Sequence, residues 1–170
     1  MGDIQPKTHY CTEEELAPLV GGHVLHASCL CGRNCVRLHL PSLAVPYYQC
    51  HCSLCRKQSG TDSNMATLLL HTQVQWLNEH SKAYRKDSGF YVQFCDDCGT
   101  ALPNRIVSSD YVWLPLGIVD GDFTGRLQVQ VCWDSKWPWT AESPMASCCW
   151  QGLPGSVDAL YQGLWGTALL

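Results

Sequence analysis

Charge is scarce in this chain. Of its 170 residues only 15% are Asp, Glu, Lys or Arg, and Lys and Arg together number 11, with no long run among them. A nucleic-acid surface rests on clustered basic charge, so that class of partner is set aside. Long apolar runs are missing too. No stretch approaches the roughly 20 residues that a membrane helix needs, so no membrane partner is expected. The start, MGDIQPKTHYCTEEEL, has neither the basic stretch nor the apolar core of a secretory signal, and Pro6 stands where a myristoylation signal needs Ser or Thr. Repeats and low-complexity tracts are absent. With 46% hydrophobic residues and a net charge of −4, the composition is that of a folded domain and not of a disordered chain. The expectation is a soluble, cytoplasmic protein with one domain large enough to bury its own core.

Helix signals are few. Thr12 with Glu15 gives a capping-box pattern in an N-terminal arm, 1–22, and SVDALYQGL marks a helix in a C-terminal extension, 151–170. Between them, 23–150 reads as strands: two around the turn in HVLHASCLCGRNCVRLHL, then 65–70, 72–77, 89–95 and YVWLPLGIVDGD. Residues 127–133 alternate, with Leu127, Val129, Val131 and Trp133 on one face and Gln128, Gln130 and Cys132 on the other. The class is mainly β, built of several small antiparallel sheets.

Cysteine, by contrast, is abundant, at 12 residues. Seven fall into three groups: Cys29 and Cys31 in SCLCG, Cys50, Cys52 and Cys55 in CHCSLC, and Cys95 and Cys98 in FCDDCG. A CxxC turn lets two thiolates converge on one tetrahedral ion at about 2.3 Å, and residues two apart on a strand share a face, so CxC can do the same. Two pairs make a closed, structural four-cysteine site from 29/31 and 95/98. The triple at 50/52/55 is one ligand short. Either its fourth position is open, as in catalytic zinc, or it is filled by Cys35, His51 or a cysteine taken from one of the pairs. Cys11, Cys35, Cys132, Cys148 and Cys149 read as small buried or surface thiols.

In this order, ASCLCG, CHCSLCRKQSG, FCDDCGTAL and, more loosely, VCWDSKWPW resemble the glutathione-dependent formaldehyde-activating enzyme family, which includes a centromere-protein-V-like branch. The likeness spans about residues 26–140. It implies a β-tent zinc fold with two zinc ions per chain: a structural one at Cys29, Cys31, Cys95 and Cys98, and a catalytic one at Cys50, Cys52 and Cys55. It also implies carbon–sulfur lyase chemistry of the kind that forms S-hydroxymethylglutathione. The sequence departs from the family where members read His, Ile and an aromatic residue; here stand Gln130, Val131 and Cys132.

Around the triple, Arg56 and Lys57 are placed to offset thiolate charge or to bind a substrate carboxylate. His51 lies between two ligands, where extended geometry points it away from the metal, as a bystander or a proton shuttle. Lys136 and Trp139 are candidate pocket residues. Trp133, Trp137, Trp139 and Trp150 either fill the core or wall a pocket for a larger, flatter substrate. The expected partner is a small molecule: a glutathione adduct, or a larger carbonyl- or thiol-bearing metabolite of a biosynthetic tailoring step. A non-enzymatic zinc binding module is the remaining alternative.

Overall fold

A computed structural model describes residues 22–140 and 146–166; the helix expected at Thr12 lies outside them. The strands are β1 (His23–Ser28), β2 (Cys35–Leu40), β3 (Ala44–Cys50), β4 (Asn64–Leu70), β5 (Val74–Asn78), β6 (Ser81–Arg85), β7 (Tyr91–Cys95), β8 (Ala101–Leu102), β9 (Asn104–Arg105), β10 (Tyr111–Pro115), β11 (Val119–Asp120), β12 (Thr124–Val131) and β13 (Cys148–Cys149). Two helices, α1 (Ser53–Ser59) and α2 (Val157–Trp165), complete the described part. The protein is thus mainly β, in three sheets of order β11-β1-β2-β5, β13-β12-β3-β4-β10-β9 and β6-β7-β8. Antiparallel pairing predominates. The exceptions centre on β12, which runs parallel to both β3 and β13.

Local chemistry explains where the elements depart from the sequence pattern. The strand expected at 72–77 begins late, because His71–Gln73 forms a single 3₁₀ turn. Gln73 holds that turn: its Oε1 accepts from the Leu70 N–H and its Nε2 donates to the His39 carbonyl. The stretch from Tyr111 onward breaks after Pro115, which has no N–H to offer a ladder. The chain then crosses through the 3₁₀ turn Leu116–Ile118 into another sheet as β11. In β12 a bulge between Leu127 and Val129 interrupts the alternation, and both Gln128 and Gln130 are buried. Trp133 has left the strand for a 3₁₀ turn, Trp133–Ser135.

The main core lies between the two larger sheets and under α2. Leu38, Leu68, Leu69, Leu114, Val129, Leu164 and Trp165 are almost wholly buried in it. Ser156 caps α2 by accepting from the Ala159 N–H at 3.0 Å. Trp165, at the other end of the helix, packs into this core and donates its indole N–H to the Leu68 carbonyl at 2.7 Å. Trp165→Ala is expected to cost about 3–5 kcal/mol, read as a lower urea midpoint at unchanged slope. A loss below about 1 kcal/mol would show that α2 lies outside the cooperative core.

Candidate metal centres

The first group of thiols joins two sheets. Cys29 and Cys31 lie in the turn after β1, and Gly32, at φ 76°, lets the chain curl so that its N–H meets the Cys29 carbonyl at 2.9 Å. Cys95 ends β7, and Gly99, at φ 72°, closes a matching turn back onto the Cys95 carbonyl at 3.1 Å. The sulfurs of Cys29 and Cys31 are 3.5 Å apart and those of Cys31 and Cys95 3.7 Å apart. All four ligand atoms, Cys98 included, lie within 4.8 Å of one another. Four thiolates around one ion at about 2.3 Å would stand about 3.8 Å apart, so the donor set fits a tetrahedral metal.

Asn34 organises this group, and the sequence reading missed it. Its backbone N–H reaches the Cys29 sulfur at 3.3 Å and its Nδ2 reaches the same atom at 3.6 Å. Its Oδ1 accepts from the His80 N–H at 2.7 Å, while Nδ2 also donates to the His80 carbonyl. Burial pushes the Cys29 thiol up, but these donors outweigh it and the net direction is down, toward the thiolate a metal needs. The only cue was an amide two residues after the CxCG turn, a position where many polar residues would serve.

The second group forms where a strand hands over to a helix. Cys50 ends β3, Cys52 is the N-cap of α1, and Cys55 lies in its first turn. The Cys52 sulfur accepts from the Cys55 N–H at 3.4 Å, so the CxxC spacing is here a thiol-capped helix start. Gly60, at φ 71°, ends the helix by returning its N–H to the Arg56 carbonyl. The three sulfurs lie within 4.8 Å of one another. Crowding divides their protons. Hydrogen bonds from Cys50, then Cys55, hold Cys52 down to about 2, whereas Cys50 is driven far up by sharing its thiol with Cys52 and Cys55. One thiolate forms readily; all three ionise only with a cation between them.

Beside this group lies a buried polar relay. His51 is fully buried, and its Nε2–H donates to the Gln130 Oε1 at 2.7 Å. Gln130 Nε2 passes on to Gln49 Oε1, and Gln49 Nε2 to the Ser63 hydroxyl. The ring of His51 meets Trp133 edge-on at 5.1 Å, and its Nδ1 has no partner. Gln130 is therefore spent on positioning His51. Tyr48, two residues before Cys50 on β3, is a neighbour the sequence did not single out. Burial, then the Cys55 and Cys50 thiols, hold its phenol well above the usual tyrosine range and hence protonated.

The remaining candidates lie at the surface. Arg56 donates to the carbonyls of His51 and Ser135 and stacks over Trp137 at 4.6 Å. Trp137 in turn stacks on Trp139 at 4.6 Å, and Trp139 is 70% exposed, so this pair is not core. Lys136 sits over Trp133, and Lys57 is exposed on α1. Cys35 is disulfide-bonded and belongs to neither group. Cys132, set aside in the sequence as a simple thiol, is buried in contact with Cys50 and Cys52. A cavity of about 730 Å³ lies elsewhere, lined by Trp76, Arg85, Asn104 and Arg105 among others.

Among known proteins, the family described as glutathione-dependent formaldehyde-activating enzyme matches residues 24–134, well over half of the chain. No curated protein matches. A Rhodobacter sphaeroides protein of known crystal structure is similar at 19% identity and a TM-score of 0.47, over 57% of this chain and 89% of its own.

Asn34→Ala removes the Nδ2 donor to Cys29 and the side-chain bonds to His80, leaving only the backbone N–H on that sulfur. It is expected to weaken metal retention there about 10–100-fold, as loss of an outer hydrogen bond does, measured by chelator competition. Unchanged retention would reduce Asn34 to a turn residue.

Proposed function

Because the chain belongs to the glutathione-dependent formaldehyde-activating enzyme family, we propose that it is a zinc-dependent enzyme making or breaking a carbon–sulfur bond between a thiol and a carbonyl carbon. The observation that carries this reading is the triple at Cys50, Cys52 and Cys55: three converging thiols that can ionise together only around a cation. Cys29, Cys31, Cys95 and Cys98 would hold a structural zinc and the triple a second, catalytic one. When bound at the triple, zinc supplies a soft positive centre that keeps a substrate thiol ionised or polarises a carbonyl oxygen.

The protein's own groups divide the remaining work. Tyr48 keeps its proton beside the thiols and can give it to an oxygen that gains charge as a carbon–sulfur bond forms. Arg56 pins the loop after β12 to His51. Gln130, where the family resemblance implies His, is 2% exposed and engaged on both sides, so it offers nothing to glutathione. The exposed Trp137–Trp139 stack beside Arg56 suits a flat, carbonyl- or thiol-bearing molecule larger than formaldehyde. A second reading, a zinc module without turnover, has one observation in its favour: the 730 Å³ cavity is not lined by the triple.

Elemental analysis of protein purified without chelator is expected to give two zinc ions per chain. Cys95→Ser should prevent folding or aggregate the protein, because a structural zinc contributes on the order of 10 kcal/mol to folding. Cys52→Ser should leave a folded protein with one zinc and no activity. Equal melting of the two variants would refute the division of roles. Titration calorimetry of zinc-loaded protein with glutathione should give no heat or a dissociation constant in the millimolar range. A constant well below millimolar, lost in Cys52→Ser, would restore glutathione as the substrate.

A further inference from the structure

Cys132 is held where a simple thiol has no reason to be. Strand β12 runs parallel to β3, with Val131 opposite Cys50, so the two strands end together at the triple. The Val131 carbonyl accepts from the His51 N–H at 3.0 Å, which locks that register. The next residue, Cys132, turns into the left-handed region at φ 57° and ψ 45°. A side chain with a Cβ pays for that conformation, and Ser108 is the only other non-glycine residue to adopt it among those described. Backbone bonds fix it from both sides: the Cys132 N–H donates to the Gly152 carbonyl and its own carbonyl accepts from Ser135, each at 3.0 Å. The turn directs the thiol inward, where it is 7% exposed and in contact with Cys50 and Cys52. It does not fall within 4.8 Å of all three triple sulfurs. It lies beside the group, next to Cys50 and Cys52.

We infer that Cys132 is the fourth ligand of the second zinc, a displaceable thiolate that closes the site at rest and yields to an incoming substrate. This rests on the reading of Cys50, Cys52 and Cys55 as a zinc centre. The chemistry balances without a co-reactant. With zinc held by Cys50, Cys52 and Cys55, an incoming thiol that took the fourth position would give its proton to the departing Cys132 sulfur, so thiolate would replace thiolate and the charge of the centre would not change. The substrate class follows: a thiol able to displace an alkyl thiolate, in preference to water or a weakly basic oxygen.

Cadmium-113 NMR of the cadmium-loaded protein tests this without turnover. Two resonances are expected in the four-thiolate range. In Cys132→Ser one of them should move to the three-thiolate range while the signal of Cys29, Cys31, Cys95 and Cys98 stays in place. Chelator competition should release the second metal at least about tenfold more readily, as loss of a direct ligand exceeds loss of an outer contact. Cys132→Gly, which suits the left-handed backbone, should do the same and guards against a folding defect in the serine variant. The inference is overturned if the wild-type protein already shows one three-thiolate signal, or if neither variant moves a resonance; the triple would then still be a metal centre, open at rest. A single resonance would remove that centre and the inference with it. Two four-thiolate signals that respond as expected, with no thiol–carbonyl pair turned over, would keep Cys132 as ligand and discard only the enzymatic reading.

Discussion

Like charges gathered within a few ångströms repel unless something stands between them, and this protein gathers them twice. The sulfurs of each group lie within 4.8 Å of one another. In the triple the first ionisation is easy and the next two are opposed, because each thiolate is stabilised by the protons of its neighbours. A divalent cation would turn that opposition into binding, and the surrounding backbone suits one. Helix α1 begins on Cys52, the turns beside both groups close on glycines of positive φ, and Asn34 presses two donors onto Cys29. The two groups differ in surroundings more than in chemistry. One lies between sheets near the surface; the other lies at the shared ends of β3 and β12, against the main core.

The sheets exist to hold those ends. In the six-stranded sheet, β3 sits between β4 and β12, so Cys50 is anchored on both flanks. The parallel pairing of β3 with β12 matters most, because it brings residues 79 apart in sequence, His51 and Gln130, into a 2.7 Å hydrogen bond. An antiparallel partner would have carried the chain after Val131 away from the triple. The parallel one delivers Cys132, Trp133 and the Arg56-bound loop to it.

Much of this was legible in the residues, and the limits have physical causes. Cysteine spacing is set by metal geometry, so the two groups could be read without a structure, and the fold brings the sulfurs of each within 4.8 Å of one another. The C-terminal helix was marked by the stretch SVDALYQGL. The parallel register of β12 was not legible, since pairing between distant strands leaves no mark on local alternation, and nothing in the clean alternation of 127–133 announced the bulge between Leu127 and Val129. That hid Cys132, whose importance lies in a backbone turn that no local signal announces. For Trp137 and Trp139 the sequence left core and pocket wall both open; they are held outside by stacking on each other and on Arg56.

The four-cysteine group also bears on how the chain finds its shape. Cys31 and Cys95 are 64 residues apart, and bringing such distant segments together by diffusion costs loop-closure entropy before any packing offsets it. Sheets built from distant strands are slow to form for the same reason. A metal captured early by these thiols would clip the chain into a closed loop containing β2 to β7, leaving a much shorter search for the strands inside it. Refolding from the unfolded state would then run faster with metal present from the outset than with metal added after collapse, and the ion would act as a guide to assembly as well as a fastener of the finished fold.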